Sequence, residues 1–340
     1  MRKVLLATAM GCAAALLIAG CFFRNTHRTN EKEDSSATLV LKFALQNGED
    51  HPLCQGMQKF GELLKEKTDG RITLELHYSA SLGSQTTTVQ GVQSGTIDGA
   101  MLKAGIISNY GCSQLKVFTF PYLFDSVAHA RAFEKSSDGK ALLDSLQSSG
   151  SRLVCIGAYQ EGARNYFFTE KNVQSPEDMK GLMIRCQEGA IYRDIVEALG
   201  ANAQSVAFSE LYSALQSGVV DGAEQPISGF AANNYSQICK YYILDQHEIS
   251  PNLILFSEAT WNQLSEDDKK VVQEAFDQSV DFFEQISDKK DEEYLKEMKR
   301  AGVIISKVDR EQWQAACDSI YDTYRKEFSS IINQIKDTKY

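Results

Sequence analysis

Arg164 and Arg185 are the residues in this 340-residue chain whose types and positions point most directly to chemistry. Arg185 ends the short apolar run Leu182-Met183-Ile184. A strand of that composition is buried, so its terminal guanidinium is carried to the rim of a core. Arg164 follows the preceding buried strand, Arg152–Ala158, after the exit Tyr159-Gln160-Glu161-Gly162-Ala163. A guanidinium is permanently charged, and its planar fork matches a carboxylate with two parallel hydrogen bonds. The pair therefore predicts recognition of a small organic anion. The competing use of either arginine is a structural ion pair with Glu161, Glu188 or Asp178. If a ligand carboxylate takes that role in a closed cleft, loss of one partner costs roughly 3–5 kcal/mol, enough to drive a hinge.

The elements that must position these groups lie in Ser175–Pro226. After the turn Ser175-Pro176-Glu177-Asp178 and the strand ending at Arg185 come a helix over Ile191–Leu199, an extended piece over Gln204–Phe208, a helix over Ser209–Gln216 and a strand over Val219–Ala223. Strands alternating with helices in so short a stretch imply a parallel sheet, whose ligand sites lie at strand C-terminal ends. Arg185 and Gln225 both fall there. An internal repeat extends the argument. Gln93-Ser94-Gly95-Thr96-Ile97-Asp98-Gly99-Ala100 matches Gln216-Ser217-Gly218-Val219-Val220-Asp221-Gly222-Ala223 at six of eight positions, with the same helix-then-strand context. Two similarly built α/β lobes facing a cleft are the economical inference, with Lys103 and Glu224-Gln225-Pro226 in comparable positions at its mouth.

The candidate cleft also receives Glu49, Asp50 and His51 from the loop after the opening strand Leu39–Gln46, and Glu161 and Asn165 from the segment before Arg164. His51 serves equally well as a helix-entry residue. Phe208 either stacks on a ligand face or fills core, and composition favours core. So many hydrogen-bonding groups favour a sugar acid such as a uronate over a C4-dicarboxylate or other carboxylate. Catalytic constellations are missing: there is no G-x-S-x-G, H-E-x-x-H, G-x-G-x-x-G or G-x-x-x-x-G-K-[ST]. No enzyme, metal or cofactor is expected, and His77, His129 and His247 read as isolated surface or strand-edge residues.

Val4–Ala19 is an apolar run of about sixteen residues behind Arg2-Lys3, and small residues precede Cys21. Residues 1–20 are read as a lipoprotein signal peptide and Cys21 as the lipidated first residue. Residues 21–38 are too polar to fold and form a tether. Loss of Arg2 and Lys3 leaves 33 basic residues against 45 acidic ones, a net charge of −12. Such a chain is repelled by nucleic acid and anionic lipid, so an anion site needs concentrated local positive charge. The six body cysteines, Cys54, Cys112, Cys155, Cys186, Cys239 and Cys317, have wide spacings and read as scattered core residues, with room for one or two bridges. The longest helical pattern starts at Ser265 as N-cap and reaches Ala301-Gly302, about 50 Å at 1.5 Å per residue, enough to span both lobes. Further helices are expected at Leu53–Thr68, Ile227–Cys239 and Glu311–Ile335.

From Arg164 to Pro226 the chain resembles the substrate-binding proteins of TRAP transporters, the DctP family. The resemblance is carried by Gly162-Ala163-Arg164, by Ser175 through Arg185, by Ala198-Leu199-Gly200-Ala201-Asn202, by Phe208 through Gln216 and by Gly218-Val219-Val220-Asp221-Gly222. It implies an α/β, two-lobed periplasmic-binding-protein-like fold of class II type, with a long helix spanning both lobes and ligand capture by closure. It further implies that Arg185 pairs with the ligand carboxylate, that Arg164 assists and that Phe208 borders the pocket. Lobe I is expected at 39–161 plus about 251–290, and lobe II at 162–250 plus about 291–340. Where the family has Glu-Asn-Pro, this chain has Glu224-Gln225-Pro226, keeping the amide and adding a methylene. Cys186 is unusual after the arginine, and Lys103 lies where some relatives carry a ligand-contacting side chain. The implied protein is an extracytoplasmic, lipid-anchored monomer that delivers its ligand to membrane permease subunits. A ligand-sensing receptor domain for a membrane sensor is the alternative.

Overall fold

The computed structural model describes residues 38–340. The expected signal peptide, Cys21 and the expected tether up to residue 37 lie outside the described residues. No helix among the described residues is long and apolar enough to cross a membrane.

In chain order the strands are β1 (Leu39–Ala44), β2 (Ile72–His77), β3 (Gly99–Lys103), β4 (Leu153–Tyr159), β5 (Ala163–Phe168), β6 (Met183–Cys186), β7 (Asn202–Ser205), β8 (Gly222–Gln225), β9 (Tyr241–Leu244), β10 (Glu248–Ile249), β11 (Asn252–Ser257) and β12 (Ile304–Lys307). They form two sheets. One has the order β2-β1-β3-β11-β4; the other runs β12-β9-β5-β8-β6-β7, with β10 on β5. The expected parallel unit is present, since β6 pairs in parallel with both β7 and β8. Each sheet also takes an antiparallel strand, β11 against β3 and β5 against β8.

The chain passes between the sheets at Gln160–Gly162, at Ser250-Pro251 and along the helix Glu266–Arg300, so the fold is two-lobed with three crossings. Ser265 caps that helix, accepting the Asp268 N–H. Its first half buries Val272, Phe276 and Phe283 in a core with Met57 and Phe60, while Met298 near its end enters a second core with Phe230 and Tyr242. The 35-residue helix thus touches both lobes.

The repeated octamer has a single structural job, performed twice. Gly95 and Gly218 end their helices in the left-handed region (φ 76 and 72). Asp98 then accepts the Lys42 N–H (2.8 Å) on β1, and Asp221 accepts the Met183 N–H (2.8 Å) on β6. Each aspartate ties its chain to the backbone of a neighbouring strand, Asp98 within β1 and Asp221 at the start of β6; the two β-branched residues before it lie outside the ladder, and the strands begin at Gly99 and Gly222, later than the expected Val219 start. A Cβ at Gly99 would meet the Phe43 ring and the Leu255 carbonyl, and one at Gly222 the Phe167 carbonyl.

Other departures have local causes. The helix expected to run to Cys239 stops at Ala232 because Asn234 takes φ 59. The closing helix is two, Arg310–Ala316 and Asp318–Asp337, broken at Cys317, and each turns apolar residues inward (Trp313; Ile320, Phe328). The extended piece after Ala201 is β7, ending at Ser205 rather than Phe208. The six described cysteines are free and buried.

Where the long helix passes the Gln160–Gly162 crossing it carries Asp291, whose Oδ2 lies beside Gly162. Burial, with the charges of Glu161 and Asp288, pushes its carboxyl up to about 8. A folded pKa above the unfolded value of about 3.9 means the folded chain holds the extra proton. This group's stabilising contribution is complete below pH ~4 and lost as pH rises to about 8. Asp291→Asn should therefore raise Tm more at pH 8.5 than at pH 5. Equal shifts in thermal melts at the two pH values would contradict this assignment.

Candidate functional site

The strand order decides which acid meets the arginines. β8 lies between β5 and β6, so Glu224 on β8 stands between Arg164 on β5 and Arg185 on β6. The β5–β8 register sets Tyr166 opposite Glu224, which brings Arg164 to a diagonal position on the same face. Arg164 Nε ion-pairs with Glu224 Oε2, and its Nη2 donates to the Glu224 carbonyl (3.1 Å). Thus Arg164 is satisfied by an acid of the protein itself, and that acid is Glu224 rather than Glu161, Glu188 or Asp178.

Arg185 differs. It is 1% exposed, and its Nε donates to the Val206 carbonyl (2.9 Å). Its Nη1 reaches no closer than 3.8 Å to Glu224 Oε1 and has no hydrogen-bond partner among the described residues. Electrostatics separate the two arginines in the same way. Burial alone would lower the pKa of either guanidinium. For Arg164 the carboxylates of Glu224, Glu248 and Glu161 outweigh burial and the pKa rises; for Arg185 burial, reinforced by Arg164, outweighs Glu224 and the pKa falls. A buried cation short of negative charge is a place for an anion. Glu248, in register opposite Arg164, is raised by burial although Arg164 opposes the shift.

The facing wall comes from the first lobe. Lys103 ends β3 opposite Asn252 at the start of β11, and Glu161 follows β4. Lys103 Nζ donates to Glu161 Oε2 (3.3 Å) and to the Ser250 carbonyl (3.2 Å). Ser228 Oγ, from the other lobe, donates to Glu161 Oε1 (3.0 Å). His51 is the N-cap of the helix Pro52–Lys67: its Nδ1 accepts the Leu53 N–H, and its Nε2 lies 3.3 Å from Glu161 Oε1. Burial would raise the Glu161 carboxyl, but Lys103, His51 and Arg164 outweigh it and hold it well below the usual carboxylate range.

Lys103, Glu161, Arg164, Phe208 and Gln225 line one cleft, and Arg185 lines an adjoining space that shares Gln85, Gln187 and Phe208 with it. Phe208 is therefore at the site and not in the core. Glu49 and Asp50 are exposed and do not line the cleft, because the chain turns outward before His51. Asn165, next to Arg164, points to the opposite face of β5, where it donates to Tyr242 Oη (3.2 Å) and accepts the Gln246 N–H (3.0 Å). His129 and His247 are buried, contrary to expectation; His247 pairs with Asp245 (2.6 Å) and stacks on Tyr166.

Sequence reasoning passed over Gln46, Asn47, Gln85, Gln187 and Asn252, which also line the cleft. The strand-end rule that singled out Arg185 reaches Gln46 and Asn47 just past β1 and Gln187 just past β6, whereas Asn252 begins an antiparallel strand and carried no such signal. Gln46 Oε1, Gln85 Oε1 and Gln187 Nε2 are buried without hydrogen-bond partners among the described residues. Unmet donors and acceptors at this density are expected where a polar ligand supplies the missing half.

The lobes meet tightly here. Thr86 Oγ1 bonds Glu188, Asn109 Nδ2 donates to the Glu188 carbonyl (3.3 Å), and Tyr192 packs so closely on Gly105 that a Cβ there would collide with its hydroxyl. Free space in the cleft is about 40 Å³, room for more than one water.

Replacing Glu224 by Gln should leave Arg164 buried and unpaired, lowering stability by roughly 3–5 kcal/mol. Because an incoming carboxylate can then restore the balance, a bound organic acid should raise Tm more in Glu224→Gln than in the wild type. A smaller shift in the variant would argue against an anion meeting these arginines.

Residues 43–327 match the model of the DctP family, described as bacterial extracellular solute-binding protein family 7. Among solved structures, the chain is similar to a TRAP periplasmic solute-binding protein from Pseudomonas putida F1 with bound D-glucuronate (TM-score 0.86, 28% identity, 89% of this chain and 98% of that one). It is likewise similar to one from Xanthobacter autotrophicus Py2 with bound β-D-galacturonate (TM-score 0.84, 27% identity, 88% and 100%). The 2,3-diketo-L-gulonate-binding periplasmic protein of Escherichia coli K12 is 28% identical over 327 residues, covering 95% of this chain and 92% of its own.

Proposed function

We propose a receptor for a uronate-type sugar acid, proceeding from the fact that the chain belongs to the DctP family, the bacterial extracellular solute-binding proteins of family 7. Such proteins are receptors of TRAP transporters and not enzymes. The observation that carries the ligand assignment is Arg185: fully buried, at a strand end beside the cleft, with Nη1 making no hydrogen bond among the described residues and lying 3.8 Å from the Glu224 carboxylate. In this reading the ligand carboxylate takes the Arg185 fork, and Arg164, held by Glu224, assists from the adjoining strand. Ring hydroxyls meet Gln46, Gln85 and Gln187, and Gln225 takes the position at which the family carries Asn. Phe208 covers one face of the sugar. The bound uronates and the diketogulonate of the similar proteins are acids of this chemical class.

Binding energy closes the cleft. Moving an open-to-closed ratio from 99:1 to 1:99 takes about 5.5 kcal/mol of differential affinity, within reach of a desolvated carboxylate–guanidinium pair supported by hydroxyl contacts. The closed form is then handed to membrane permease subunits, with the receptor a monomer held extracytoplasmically through a lipid on Cys21. Hinge movement is assigned to the three crossings, between lobe I (39–161 plus about 251–290) and lobe II (162–250 plus about 291–340).

A thermal-shift panel of uronates, aldonates, sialate and C4-dicarboxylates tests the reading. A ligand at 100 times its Kd adds about 2.7 kcal/mol. Glucuronate or galacturonate should give the largest rise, and Arg185→Ala should abolish it. A preserved rise in that variant, or a response to dicarboxylates alone, would overturn the assignment.

A further inference from the structure

We propose that Glu161 sets the charge class of the ligand: by neutralising Lys103, it makes the first-lobe wall accept a hydroxyl end and reject a second carboxylate. The inference rests on the sugar-acid reading above and adds a selectivity that family membership does not supply. The cleft runs from Arg164, Gln187 and Phe208 on one lobe to Lys103, Glu161 and Asn252 on the other. An acid whose carboxylate lies at the arginines presents its opposite end to that second group.

A lysine at the far end of an anion site would ordinarily invite a diacid. Here it does not stand alone. Lys103 and Glu161 are both buried and 3.3 Å apart, and Glu161 is pinned by donors from separate elements: Lys103 from β3, Ser228 from the second lobe, and Asn252 Nδ2 from β11 at 3.5 Å. His51 stands behind it at 3.3 Å. So fixed, the carboxylate cannot swing aside to leave the lysine free. A hydroxyl, which both donates and accepts, suits a wall holding an ammonium, an amide and a carboxylate. A second carboxylate would meet Glu161 as a like charge with Lys103 already engaged, and like-charge juxtaposition costs several kcal/mol. Rejection of the wrong ligand by a placed charge is a recognised route to specificity.

Calorimetric titration with D-glucuronate and D-glucarate tests the proposal: they share one carboxylate, and C1 is a ring hemiacetal in the first and a second carboxylate on an open chain in the second, so the change of their ratio between variants and wild type isolates the charge from the ring. The wild type should favour glucuronate by about 100-fold or more. Glu161→Gln, which frees Lys103, should narrow the ratio by about tenfold or more, equivalent to ~1.4 kcal/mol. Lys103→Met, which leaves Glu161 uncompensated, should widen it. Opposite shifts support the charge account even where one variant folds poorly, since each folded variant has its own sign. An unchanged ratio in either folded variant, or a wild type that takes glucarate as readily as glucuronate, overturns it. A wild type that binds neither these acids nor any other sugar acid overturns the ligand reading itself, a distinct result.

Discussion

An under-compensated guanidinium is the constraint from which the rest of the site follows. Arg185 is taken out of water by the apolar strand that carries it, and the nearest carboxylate is claimed by another arginine. Burying a charge without a partner is among the most destabilising arrangements available to a fold. It is tolerated here because Arg185 Nε holds a carbonyl and because one Glu224 oxygen lies within 3.8 Å of Nη1. This partial compensation leaves a difference in energy between the free and occupied site, which is what a ligand-driven closure requires.

Much of the fold could be read along the chain because its signals are local. The Ser265 cap, the apolar spacing of the long helix, and the alternation of strands and helices around Arg185 depend on neighbours in sequence. The octamer repeat was also visible, but its meaning was not. Asp98 and Asp221 looked like residues inside strands, and only the pairing of strands reveals that each side chain accepts a backbone N–H of the strand beside it. The same holds for the site. That Arg164 is satisfied by Glu224, sixty residues away, follows from the placing of β8 between β5 and β6, a fact of sheet order that no spacing encodes. Glu49 and Asp50 were expected in the cleft because they follow a strand end, yet His51 caps the next helix and turns them outward.

Charge distribution explains how an acidic chain can host an anion. The positive groups are few and buried together, each with a different degree of compensation. Lys103 has Glu161, Arg164 has Glu224, and Arg185 has only a share of Glu224, at 3.8 Å. Low local dielectric makes these differences count for more than the net charge of the surface, which salt screens over about 10 Å. Three glutamine atoms around the same cleft have no hydrogen-bond partner among the described residues, which suits the proposed ligand's hydroxyl groups. Similar structures hold D-glucuronate and β-D-galacturonate, acids that carry both kinds of group.

The most direct measurement is a crystal structure of the protein with D-glucuronate bound. The account predicts the ligand carboxylate on the Arg185 fork, with Nη1 at about 2.7–2.9 Å from a carboxylate oxygen. A structure in which the sugar acid is bound while Arg185 Nη1 remains without a ligand oxygen, its carboxylate elsewhere in the cleft, would contradict it.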